Sequence, residues 1–121
     1  MAGLLQGGPT AALSHRTAAR EWRWDPFTDW QQIEIIVDRD LRSSSATRFI
    51  QAKLGAKEVG SLRQMRITSP IRTVLDLATV ATEEELEIAL DCGLVRTGLR
   101  IDRLRQALDE RGRKGPRVPE P

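Results

Sequence analysis

Thr68-Ser69-Pro70-Ile71-Arg72-Thr73-Val74-Leu75-Asp76-Leu77-Ala78 is where the chain changes period. Before it, apolar residues alternate or run in short β-branched blocks; after it, they recur at helical spacing. Ser69 is placed to cap the free amides of a first turn. Pro70, at the first helical position, loses nothing by lacking an N–H. Ile71, Val74, Leu75 and Ala78 then share one face. Arg72 and Asp76 stand four apart on the other face and are expected to pair weakly.

Upstream, Ser14 to Trp22 reads as a short helix capped by Ser14, with Leu13, Ala18, Ala19 and Trp22 as apolar contacts. Trp24 to Trp30 is a turn-rich link. Ile33-Glu34-Ile35-Ile36-Val37 is the best strand, Thr47 to Leu54 a second and Leu62 to Ile67 a third. Ser43-Ser44-Ser45 and the segment between Gly55 and Gly60 are turns. Downstream, the helix begun at Pro70 runs to about Ala81. The next opens at Thr82, where Glu85 completes a capping box, and ends near Gly98. Its inner face is Leu86, Ala89, Leu90, Gly93 and Leu94. The last spans Ile101 to Arg111, buries Ile101, Leu104, Ala107 and Leu108, and stops at Gly112. Strands followed by helices predict an α+β domain: an N-terminal helix, a small antiparallel sheet, then a three-helix cluster. Residues 1–10 are Gly-rich and expected to be flexible, 11–112 form the single domain, and 113–121 read as a disordered tail.

A chain of 121 residues with 40% apolar and 30% charged residues suits one small globular domain. It has no apolar run long enough to span a bilayer, and MAGLLQGGPTAAL lacks the basic and apolar regions of a signal peptide. One cysteine, Cys92, cannot form an intramolecular disulfide and suits a reducing cytoplasm. A net charge of +2 does not by itself point to nucleic acid. Its distribution says more: six acids and no bases lie from Asp76 to Asp91, then eight bases and four acids from Arg96 to the end. This reads as a solvated acidic helix followed by a solvated basic segment.

The chemical inventory is thin. His15 is the only histidine. Ser14 and His15 are adjacent, so on a helix their side chains are expected to point apart rather than form a nucleophile–base pair. His15 is expected to cap or pack near the helix start, within reach of Asp76 only through the fold. One Cys and one His cannot make a usual zinc site, and Cys92 reads as a core residue. Glu83-Glu84-Glu85 is a helix N-terminus rather than a metal site. Trp22, Trp24, Phe27 and Trp30, beside Arg20 and Arg23, read as a mini-core between the first helix and the sheet. The alternative for them is base stacking or a protein hot spot. No cofactor and no small-molecule substrate are evident.

LSHRTAA at 13–19, ITSPIRTVLDLA at 67–78 and LEIALDCGLVRTG at 86–98 resemble the actinobacterial proteins of the AbiEi antitoxin-like family, over residues 11–115. The resemblance implies a cytoplasmic, non-enzymatic antitoxin domain of a type IV toxin–antitoxin (abortive infection) system. Its implied partner is a nucleotidyltransferase-type toxin. Family chains begin with a DNA-binding winged helix and many continue into a Vsr-like endonuclease-type domain. Neither is matched here, so the chain reads as a truncated member or a stand-alone middle domain, and DNA autoregulation is not implied by its residues. His15, Arg16, Ser69, Pro70, Arg72 and Asp76 carry the family signature, with a structural role for Arg72 in tying its helix to the rest. Arg96, Arg100 and Arg103 are the candidate partner surface, for an acidic protein or a phosphate backbone. The alternative function is a DNA-associated transcriptional regulator or an accessory remnant of a Vsr-like endonuclease-type protein. An enzyme in its own right is the reading least served by one His, one Cys and no carboxylate pair.

Overall fold

The structure is a computed structural model that describes residues 2–114. Its elements are α1 (Ala2–Gly7), β1 (Ala12–Leu13), α2 (His15–Glu21), β2 (Ile33–Val37), β3 (Thr47–Gln51), β4 (Val59–Leu62), β5 (Met65–Thr68), α3 (Pro70–Leu77), α4 (Glu83–Arg96) and α5 (Ile101–Lys114). A 3-10 turn at Ala56–Glu58 leads into β4. The α+β architecture expected from the sequence is present. The five-stranded sheet has the order β3-β2-β1-β5-β4.

The sheet is mixed, not antiparallel. β1 pairs antiparallel with β2 and parallel with β5, and β2 pairs parallel with β3. The reason is the link over residues 38–46, which carries the chain back to the start of β2 before β3 begins. Its serines hold that return: Ser43 Oγ accepts the Phe49 N–H at 3.0 Å and Ser44 Oγ accepts the Thr47 N–H at 3.1 Å. The expected third strand is in fact a hairpin, β4–β5, turning at Arg63 and Gln64, both left-handed with φ of 50° and 67°.

At the N-terminus, Ala2–Gly7 is helical where loose chain is expected from the glycines. Those glycines permit close approach instead. A Cβ on Gly7 would lie 2.7 Å from Ala11 Cβ and 2.8 Å from Val37 Cγ1. At the other end α5 passes through Gly112 to Lys114, so the glycine does not stop it. The expected disordered tail over 115–121 lies outside the described residues.

Two apolar clusters make the core. Ala11, Leu13, Ala18, Ile35, Val37 and Ile67 form the sheet cluster. Ala19, Trp24, Phe27, Val74, Leu75, Leu77, Ala89, Leu99 and Leu104 form the helical one. α2 serves both, through the neighbours Ala18 and Ala19, and Trp22 packs against each. The aromatic segment is therefore core, as expected, but it packs mainly under α3 and α4. Cys92 is half-buried against the same cluster. The helix starts form as the sequence predicts. Ser69 Oγ accepts the Arg72 N–H at 3.2 Å, and Thr82 and Glu85 exchange bonds of 2.9 and 3.2 Å. Gly98 ends α4 at φ +68°.

α5 departs from expectation. Leu104 is buried and Ala107 half-buried, but Ile101 is 40% and Leu108 51% exposed. On α4, Ala89 and Gly93 are buried while Leu94 is exposed. No helix among the described residues is long and apolar enough to cross a membrane.

Candidate functional site

The chain's polar signature converges on one buried knot where β1 runs into α2 and β5 runs into α3. Leu13 is paired on both sides, to Ile35 and to Ile67, so the residues just after it are fixed in place. Ser14 is extended (φ −143°, ψ 177°) and its side chain makes no cap bond. Its Oγ lies 2.7 Å from His15 Nδ1 instead. The two side chains therefore meet, contrary to the expectation for helical neighbours. Neither residue has right-handed helical backbone, although His15 is the first residue of α2: Ser14 is extended and His15 is left-handed at φ +52°.

The cap that Ser14 does not supply comes from Glu34 on β2. Glu34 Oε1 accepts the Arg16 backbone N–H at 2.8 Å. The Arg16 guanidinium grips the same carboxylate through Nε at 3.0 Å and Nη2 at 2.7 Å. Arg48 on β3 adds a third cationic donor at 3.2 Å. The Arg16 guanidinium also lies over the Trp30 ring, 4.1 Å from its centroid. Thr17 Oγ1 donates to the Gln32 carbonyl at 3.0 Å and accepts the Glu34 N–H at 2.8 Å, which locks α2 to the entrance of β2. Burial pushes the Glu34 carboxyl up, but the hydrogen bonds and charge of Arg16 outweigh it and hold the group below its usual range.

A second grip surrounds Arg72. Its Nε donates to Asp76 Oδ1 at 2.9 Å, and its Nη1 donates to Glu58 Oε2 at 2.9 Å and to the Lys53 carbonyl at 3.3 Å. Arg72 and Asp76 pair at their four-residue spacing, and at 7% and 4% exposed they do so inside the fold. They tie α3 to the 3-10 turn and the end of β3. Thr68 Oγ1 and Thr73 Oγ1 meet at 2.7 Å beneath them. Asp76 Oδ2 is buried without a hydrogen-bond partner. Burial raises the Asp76 carboxyl above its usual value against the pull of His15 and Arg72.

His15 lies within electrostatic reach of Asp76, Glu34, Arg48 and Arg72. Burial lowers its pKa from the usual 6.5, outweighing Asp76 and Glu34. An imidazole that folds neutral takes up its proton more readily in the unfolded chain. Its contribution to stability is therefore full above the unfolded value and is lost as pH falls below it. Asp76 acts in the opposite sense at lower pH, because its raised pKa favours the protonated fold. Between pH 7 and about 5.5 the urea midpoint is expected to fall by an amount equivalent to at most about 1.4 kcal/mol per pH unit. His15→Asn, which tolerates the left-handed backbone, is expected to flatten that slope. The same slope in both proteins would remove His15 as its source.

No family model, curated protein or solved structure matches the chain. The site is thus read from its own geometry. Ser14, His15 and Asp76 are the residue types of an acyl-transfer triad. Ser14 has 0% exposure and His15 5%, however, so no substrate atom can approach them in this arrangement. The knot holds α2 and α3 to the sheet. His15, Arg16, Arg72 and Asp76 are brought together by the fold, with Ser69 and Pro70 starting the helix that carries two of them.

The other candidates do not form one patch. Arg96 donates to the Arg23 carbonyl at 2.5 Å and stands 3.9 Å from Asp25. Arg100 is forked onto Asp102 at 3.0 and 3.2 Å. Arg103 lines a cavity of about 330 Å³ between α3, α5 and Glu58. Sequence reasoning missed Glu34, Arg48 and Glu58. A carboxylate inside the most apolar strand was the one available signal for Glu34.

Proposed function

We propose that this domain is a non-enzymatic, antitoxin-like protein-binding module of a type IV toxin–antitoxin system, acting in the cytoplasm on a nucleotidyltransferase-type toxin by contact. The observation that carries the reading is the apolar surface left on α4 and α5. Val95 is 82% exposed, and with Ile88 it makes one stripe at seven-residue spacing; Ile101 and Leu108 make another. Exposed apolar stripes on two consecutive helices have the composition of the core of a protein-binding surface. The chain's own signature groups support the same reading, because His15, Arg72 and Asp76 are occupied inside the fold.

The test is capture from host lysate with tagged protein, washed at high salt after nuclease treatment, followed by growth rescue on co-expression with the retained toxin. Native protein is expected to retain and neutralise it. Val95→Asp with Leu108→Asp, both on exposed positions, is expected to abolish rescue while the thermal melt stays unchanged. Retention of nucleic acid alone, lost as salt rises, would replace this reading with a DNA-associated one.

A further inference from the structure

Four arginines from separate places in the chain line one open bowl of about 430 Å³: Arg20 in α2, Arg23 just beyond it, Arg63 at the β4–β5 tip and Arg96 in the last turn of α4. Glu21 organises them. Arg20 Nε donates to its Oε2 at 3.1 Å and Arg63 Nη2 to its Oε1 at 3.2 Å. Arg20 also donates to the Trp30 carbonyl at 3.0 Å, and Arg96 to that of Arg23. Arg23 is exposed and, among the described residues, has no carboxylate within 4.0 Å.

Two features make this more than a solvated charge cluster. The C-terminal ends of α2 and α4 each attract cations with about half a charge. That accounts for Arg20 and Arg96, which bond nearby carbonyls, but not for Arg23 and Arg63 on a loop and a hairpin tip. Second, a guanidinium has five N–H donors, and the contacts here use at most two on each side chain. Three of the four are held in place while most of their donors are unspent within the chain. Ordered forks lose less side-chain entropy on binding than free ones.

We propose that this bowl binds phosphate groups of a nucleic-acid backbone. Successive phosphates along a strand present charged oxygens to several separated guanidiniums at once, and each guanidinium can fork onto a phosphate. The Arg63 and Arg96 side chains are 51% and 49% exposed, so the bowl is open enough for a strand to pass across it. The lining is four arginines with Glu21 and Thr28, on no helix or strand that projects from the surface into a groove, so the contacts are assigned to phosphates and the binding is expected to be independent of sequence. The site stands apart from the proposal for the α4–α5 surface and fails or succeeds separately from it.

The experiment is fluorescence anisotropy of the full chain with labelled duplexes of two unrelated sequences across a salt series. Arg23→Asn with Arg63→Asn, chosen because asparagine tolerates positive φ, is the test variant; Arg100→Asn with Arg105→Asn is the charge-matched control, and melts check all folds. The test variant is expected to lose about tenfold in affinity at low salt on both duplexes, with the salt slope shallower by about two. The control is expected to keep most of both. Unchanged binding in the test variant, or an equal loss in the control, overturns the site. Binding of a poly-glutamate peptide in preference to duplex overturns it in favour of an acidic protein segment. Duplex binding no tighter than inorganic phosphate at matched ionic strength overturns the backbone assignment.

Discussion

Replacing Glu34 by Gln is expected to lower stability by about 3 kcal/mol, the largest effect of any single polar change on the sheet side. The Glu34 side chain has 0% exposure, and three separate donors converge on it: the Arg16 backbone N–H, the Arg16 guanidinium and Arg48. An amide of the same size turns an NH₂ toward two guanidiniums and accepts on one side only. It also removes the negative charge at the start of α2. Breaking a fully buried ion pair costs about 3–5 kcal/mol. The lower end applies here because the Arg16 and Arg48 side chains keep 20% and 41% of their surface in water. Urea unfolding is the measurement, and a midpoint shift at unchanged slope is the expected form of the result. A midpoint equal to that of the native chain would mean the carboxylate does not hold α2.

Arg72→Met is expected to cost about 3–5 kcal/mol, for a different reason. It leaves Asp76 buried with one oxygen already unpartnered and removes the cation that also holds Glu58. Burial works against ionisation of Glu58, and the Gly55 N–H and Arg72 outweigh it with help from the charge of Arg111; without Arg72 the Gly55 bond is the one hydrogen bond left among these. Arg72→Lys keeps the charge but not the fork, and one ammonium cannot serve Asp76, Glu58 and the Lys53 carbonyl in their present directions. It is expected to recover less than half of the loss. The double change Arg72→Met with Asp76→Leu removes both charges and is expected to be more stable than Arg72→Met alone. Thermal melts of the four proteins decide it. A single variant within about 1 kcal/mol of the native chain would show that the buried pair does not staple α3 to the 3-10 turn.

What the sequence revealed, it revealed through local rules. Ser69 with Pro70, Thr82 with Glu85, and Gly98 are backbone devices that act within one turn, and each stands where its chemistry requires. Ile33–Val37 was legible because β-branched residues in a block have few other uses. The failures are of two kinds, turns whose residues carry no usual signal and contacts set by distant chain. Arg63-Gln64 carries none of the glycine or asparagine that signals a hairpin, so the expected strand Leu62–Ile67 runs across the turn and leaves out most of β4. β1 is two residues long and exists only because β2 and β5 border it. Gly7 spoke for flexibility by composition and for close contact by position. Within the site, Arg72 and Asp76 paired as their spacing suggested, but helical spacing alone cannot tell a solvent face from one covered by Glu58 and Lys53. Ser14 and His15 meet because neither has the right-handed helical backbone that would point their side chains apart, a boundary that no residue type in the sequence signals.

The two-residue strand β1 also sets an order of assembly. β4 and β5 pair across a tight turn, and β2 and β3 across a short return, so both halves of the sheet can form from neighbouring chain. Leu13 alone joins them, facing Ile35 on one side and Ile67, fifty-four residues away, on the other. Closing so long a loop for so few contacts is slow relative to the local pairings. The middle of the sheet is therefore expected to form last, after the ion pairs of Glu34 and Arg72, whose partners lie 4 to 18 residues away in the chain.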